Sequence, residues 1–209
     1  MPLSHITIRQ ARSTDDVFAI AAYIYLTDPY IYPTLFPSPD DPEWIDIIRQ
    51  CFISPQNIFS SQHISVALAG EKIIGLCCMI PCGKPLRFHA DIKSDASLAK
   101  RLSVAVNGYF VPLLEESEAL DGYCITNICI DEAFRGKGIG RLLLRHCIGL
   151  HENKPIHLDV IADNTPALRL YQSLGFEIVN RYEGFSGANT TVPCYRMKRV
   201  VPQATAFTV

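Results

Sequence analysis

The chain has little net charge: 19 lysines and arginines against 21 aspartates and glutamates leave −2 over 209 residues. That balance excludes the electrostatic footprint of a nucleic-acid binder and of a protein drawn to an anionic membrane surface. No apolar run reaches the length that spans a bilayer, and the N-terminus lacks the apolar core of a secretory signal. A cytoplasmic protein is therefore the default expectation. Internal repeats and low-complexity linkers are also missing. The eight cysteines, at 51, 77, 78, 82, 124, 129, 147 and 194, include no Cys-x-x-Cys pair and no matching histidine spacing. Their densest grouping, Cys77-Cys78-x-x-x-Cys82, places neighbours on opposite faces of a strand, so no metal site is expected. Most lie in apolar runs, where thiols behave as small, reduced, buried hydrophobes. Cys129 has no base visible in the sequence and reads as packing rather than as a nucleophile.

What the chain does contain is concentrated in Ile128-Cys129-Ile130-Asp131-Glu132-Ala133-Phe134-Arg135-Gly136-Lys137-Gly138-Ile139-Gly140. An apolar strand turns through a glycine-spaced basic loop into a helix. The face begun by Ile139 continues through Leu142, Leu143, His146, Cys147 and Leu150 at helical spacing, so the helix starts within or just after the glycines. The first N–H groups of a helix have no intrahelical partner and face whatever lies ahead of it, which suits a pyrophosphate. Glycine at 136, 138 and 140 lets a ligand approach the main chain, and Arg135, Lys137 and Arg141 surround it with positive charge. A Walker loop needs serine or threonine where Gly138 stands. A dinucleotide fingerprint needs glycine where Arg141 stands.

A second segment follows at a suitable distance. Strand-like His157-Leu158-Asp159-Val160-Ile161 runs into Asp163-Asn164-Thr165-Pro166, then Ala167 to Leu174, then Gly175-Phe176. Thr165 or Asn164 can cap the helix, Pro166 suits its first position and Gly175 its left-handed stop. Ala167, Leu170, Tyr171 and Leu174 share a face, so Tyr171 points inward.

Arg-x-x-Gly-x-Gly at 135–140 resembles the acyl-CoA pyrophosphate loop of the GNAT N-acetyltransferase superfamily. Asn164-x-x-Ala-x-x-Leu-Tyr-x-x-x-Gly-Phe is similar to that family's second signature. The resemblance spans roughly Ile6 to Val200 and implies an α/β fold, a mixed, twisted central sheet flanked by helices. It implies acetyl-CoA as cosubstrate, without a metal. The loop from Arg135 to Arg141 would hold the pyrophosphate. The main chain of Ile128, Cys129 and Ile130 would hold the pantetheine and acyl carbonyl where the strand splays from its parallel neighbour, with Asn164 and Tyr171 attending the arm and its sulfur. Transfer goes directly to the amine of a small molecule or peptide, because the thioester is already activated and holding both reactants together supplies much of the rate. Tyr171 is the expected general acid. Asp159 stands where peptide-acetylating relatives often carry a glutamate base, one methylene shorter; Glu116, a water chain or a purely structural carboxylate are the other readings. The competing class is a catalytically silent acyl-CoA sensor on the same scaffold, against which Asn164 and Tyr171 are intact. The acceptor pocket falls about Tyr25 to Phe36 and Glu183 to Pro193. Peptide N-termini, amino acids, polyamines and xenobiotic amines all remain open, as does the assembly state, a homodimer included.

The rest organises around this. The length and 48% hydrophobic content suit one domain over residues 1–200 with a tail over 201–209. Ile6 to Arg9 alternates as a strand, and Ser13 to Asp16 starts a helix. The aromatic stretch from Tyr23 to Phe36, broken by Pro29 and Pro33, reads as bent and helical, its tyrosines packing rather than lining a pocket. Asp41-Pro42 opens another helix, and Ala69-Gly70-Glu71 is a hairpin signal. Residues 82–120 read as a helical insertion with a solvated charged face. Two strands are expected around residues 183–189.

Overall fold

A computed structural model describes residues 5–83, 120–185 and 191–200. Five strands precede the second signature: β1 (Ile6–Gln10), β2 (Ile64–Ala69), β3 (Lys72–Pro81), β4 (Tyr123–Ile130) and β5 (Ile156–Ile161). Beyond it, β6 (Glu177–Phe185) and β7 (Thr191–Arg199) complete a seven-stranded sheet in the order β1-β2-β3-β4-β5-β7-β6. All neighbours are antiparallel except β4 and β5. This is the mixed α/β sheet that the resemblance implies. The expected 82–120 insertion and the 201–209 tail fall almost wholly outside the described residues.

The helices begin where short polar side chains can accept from their free N–H groups. Asp16 caps α1 (Val17–Tyr25), accepting from Phe18 and Ala19 N–H. Asp41 caps α3 (Pro42–Ile53), accepting from Glu43 at 2.9 Å and Trp44 at 3.2 Å. A single turn, α2 (Ile31–Leu35), lies between them. These three pack on one face of the sheet around Trp44, whose ring lies 5.1 Å from those of Tyr32 and Phe36 and whose Nε1–H donates to Ala21 O at 2.9 Å. Tyr23, Tyr25, Tyr32 and Phe36 are all buried there. The aromatic stretch is thus a core, as the packing reading expects.

The other face carries α4 (Ile139–Gly149) and α5 (Thr165–Gln172) over Met79, Ile125, Leu158 and Met197. The buried face of α4 differs from the expected one. The buried stripe of α4 is Ile139, Leu143, Leu144, Cys147 and Ile148, while Leu142 and Leu150 face outward. Three consecutive leucines satisfy two helical stripes equally well, and docking on the sheet selects the one that also buries Ile148. Cys77 and Cys78 lie in different cores on opposite faces of the sheet, as strand alternation requires.

Candidate active site

The pairing of β4 with β5 ends early. Only Tyr123, Cys124 and Ile125 of β4 oppose Ile156, His157 and Leu158. Beyond them β5 stays paired with β7 as far as Ile161↔Cys194, so β4 diverges alone. The register with β3 fixes what it presents. Ile130 opposes Gly75, and Asp131 N–H donates to Ile74 O at 2.9 Å, which makes 75↔130 a non-hydrogen-bonded pair. The main-chain N–H and C=O of Ile130, and of Ile128 two residues before, therefore face away from β3 on the side of the gap, where the Ile130 carbonyl is taken by Arg135. A strand that follows its own alternation next to a neighbour that has departed leaves donors and acceptors for a ligand.

The loop after β4 is braced. Asp131 accepts from Ala133 N–H at 3.0 Å and from the Tyr23 hydroxyl at 3.2 Å, with Lys72 Nζ at 3.5 Å. Burial pushes its carboxyl up, but these three partners outweigh that and leave it below the ordinary carboxylate range. Arg135 Nε donates to Ile130 O at 2.9 Å. Lys137 Nζ donates to Ala133 O at 2.7 Å and lies 5.1 Å over the Phe134 ring. Both cations thus tie the loop to itself. Gly136 (φ 73°) and Gly138 (φ 80°) take left-handed conformations that side chains resist. The first α4 hydrogen bond runs from Leu142 N–H to Gly138 O, leaving the N–H groups of Ile139, Gly140 and Arg141 without helix partners. An exposed glycine turn feeding three free N–H groups fits a pyrophosphate.

The gap opens into a cleft of about 410 Å³. Its walls are Cys124 to Ile128 of β4 and Leu158 to Ile161 of β5, closed by Asn164 and Tyr171 on one side. Asn164 caps α5 through Ala167 N–H at 3.3 Å, so the helix starts at Thr165 and Pro166 is its second residue. Tyr171 is 6% exposed, and burial pushes its phenol well above the ordinary range. Its hydroxyl stays protonated at neutral pH and makes no hydrogen bond among the described residues. Asp159 also lines the cleft, its two oxygens held by Arg196 Nε and Nη2, each at 2.9 Å. Cys129 is buried, which pushes its thiol up against the opposing pull of Arg135 and makes it a poor nucleophile. Glu116 lies outside the described residues.

Several lining residues carry no motif. Thr27, Asp28 and Tyr30 come from the α1–α2 connection, and Tyr182, Glu183 and Gly184 from β6. These are the two regions expected to shape the acceptor pocket, although most of the aromatics from 23 to 36 turn away from it. Asn127, a polar residue inside an apolar strand, donates to Thr27 Oγ1 at 2.6 Å and to the Tyr32 hydroxyl at 3.3 Å. That break in the strand's pattern was its only signal in the sequence. Arg196, which holds Asp159 and lies 5.4 Å over the Tyr182 ring, had none.

A mixed sheet opened between its one parallel pair, with a glycine-loop helix at the opening, defines the fold class of the coenzyme A-dependent acetyltransferases that the two motifs resemble. The sequence pattern of the Acetyltransferase (GNAT) family matches residues 22–176, and the chain belongs to that family. Among curated proteins it is 40% identical over 80 residues to the N-alpha-acetyltransferase RimI of Mycobacterium tuberculosis, 37% of this chain and 48% of that one. It is 32% identical over 92 residues to the spermine/spermidine N(1)-acetyltransferase of Bacillus subtilis, 42% of this chain and 59% of that one. The chain thus spans about half the length of these relatives. In fold it resembles an N-acetyltransferase from Staphylococcus aureus Mu50, with a TM-score of 0.73 at 22% identity over 92% of this chain and 99% of that one.

Proposed function

We propose that the protein transfers an acetyl group from acetyl-CoA directly to a primary amine of a small molecule or peptide. The observation that carries this reading is the β4–β5 gap, where Ile128, its main chain unpaired, lines a cleft together with the free hydroxyl of Tyr171, and the N–H of Ile130 two residues on also faces away from β3. The loop from Arg135 to Arg141 would hold the pyrophosphate through its N–H groups, with Asn164 beside the pantetheine arm. Acetyl-CoA supplies an activated thioester there. A main-chain N–H aimed at the acyl oxygen offsets the negative charge that grows as the amine attacks. Tyr171 donates its proton toward the departing sulfur, for which a buried, protonated phenol is suited. Asp159 accepts the amine proton, directly or through water; a carboxylate offers about four lone-pair sites, so its two bonds from Arg196 leave room for this.

The test is to incubate the protein with acetyl-CoA and a library of amines and peptides, following free thiol and identifying the amide by mass spectrometry. Release of CoA matched by an acetylated amine is expected. Tight acetyl-CoA binding with no acceptor turned over across the library would instead indicate a sensor.

A further inference from the structure

Among the described residues, the charged side chains that line the cleft are all acidic. Among the described lining residues are the carboxylates of Asp28, Asp159 and Glu183 and no lysine, arginine or histidine. Arg196, beside Asp159, is engaged with that carboxylate. Asp28 differs from the other two in how it is held. Its Oδ1 accepts from Tyr30 N–H at 2.8 Å and from Ile31 N–H at 2.9 Å, which pins the carboxyl at the α1–α2 turn. Its Oδ2 has no partner among the described residues although the group lines the cleft.

We infer that Asp28 is a specificity residue: its free oxygen receives a second positive charge on the acceptor, so that the site prefers amines carrying another ammonium and rejects those carrying a carboxylate. This rests on the acetyltransferase reading of the same cleft. A fixed carboxylate offers a charge-assisted hydrogen bond to an ammonium, and a carboxylate placed there instead meets like charge with no cation in the described lining to answer it. Burial pushes Asp28's carboxyl up, opposed by the two N–H bonds, and a bound ammonium would relieve the cost of keeping it ionised. Free amino acids are disfavoured on this basis. Two sources share the favoured chemistry, a free diamine and a peptide N-terminus followed by a basic residue.

Two matched series separate them. The first is butylamine, putrescine and γ-aminobutyrate, which differ only in the far group; the second is alanyl-lysine amide and alanyl-glutamate amide. With acetyl-CoA saturating, kcat/KM is read for each substrate on the parent and on Asp28→Asn, which keeps the Oδ1 acceptor that holds the turn. The parent should prefer the cationic member by about tenfold or more in at least one series, and Asp28→Asn should cut that ratio about tenfold. A ratio measured within one variant is insensitive to a general loss of active protein. Preference in the first series only identifies a free diamine, and in the second only a peptide. Equal rates across both series in the parent, or a preference that Asp28→Asn leaves intact, would overturn the assignment while leaving the acetyltransferase reading in place. CoA release from no substrate at all, with acetyl-CoA still bound, would overturn both.

Discussion

Tyr171 is where packing and the proposed chemistry meet in one side chain. Its ring completes the core beneath α5, 6.0 Å from that of Phe176, yet its hydroxyl is left without a hydrogen bond among the described residues. Buried tyrosines usually find a partner, and an open cleft beside this one explains the exception. Tyr171→Phe keeps the ring and removes the proton. Acetyl-CoA affinity and thermal stability should change little, while turnover falls roughly a hundredfold, toward the low end for lost acid catalysis because a thiolate is a tolerable leaving group. Parental turnover under conditions where chemistry limits the rate would make the hydroxyl structural. For Asp159, Asp159→Asn should lower turnover at neutral pH and recover part of it at higher pH, where more of the amine is already deprotonated. A pH–rate profile identical in shape and height to the parent's would remove Asp159 from proton transfer.

At the scale of elements, the loop between β4 and α4 is positioned by Asp131, which joins it to α1 through Tyr23 and to β3 through Lys72 and the Ile74 carbonyl. Asp131→Ala removes the acceptor for Ala133 N–H and one of the two acceptors of the Tyr23 hydroxyl, the other being Ile73 O at 3.2 Å. A loss of about 1–2 kcal/mol in denaturant melts is expected, with weaker acetyl-CoA binding. Binding unchanged in the variant would show that the loop keeps its shape without this hub. Lys137→Ala should weaken binding only modestly in the same titration, since the lysine is committed to Ala133 O.

Which elements were legible follows from how local their causes are. The caps at Asp16, Asp41 and Asn164 and the α4 start at the glycines could all be read along the chain, because each depends on a few consecutive residues. The face of α4 could not, because Leu142-Leu143-Leu144 leaves the choice to tertiary contact. Nor could Arg196 on Asp159 or Asn127 on Thr27, pairs separated by 37 and 100 positions. Asp28 sits in a turn beside Pro29, and only the packing of α1 against the sheet brings that turn to the cleft.

The molecule as a whole is a sheet with a core on each face, opened at the one place where two strands run parallel. Away from the opening it is held in part by Arg9 and Asp15, whose bidentate contacts of 2.7 and 2.8 Å link β1 to the start of α1. The Arg9 hydrogen bond, helped by Arg12 N–H, holds the Asp15 carboxyl below its ordinary value of 3.8 despite burial. A carboxylate depressed in the folded state stabilises it above the unfolded pKa, and that contribution disappears as pH falls through the folded one. The Tm gap between the parent and Asp15→Asn should hence be constant near neutrality and close below about pH 4. A gap that persists in acid would mean the pair contributes through packing alone.

In the proposed site the glycine turn and the β4–β5 gap together hold acetyl-CoA, and calorimetric titration of acetyl-CoA into the parent and into Gly138→Val tests this. Gly138 is left-handed at φ 80° at the mouth of α4, where a β-branched residue both strains the turn and covers the N–H groups. Saturable binding by the parent is expected, with at least roughly a tenfold loss in a Gly138→Val protein whose circular dichroism shows it folded. Equal affinity in that folded variant would contradict it.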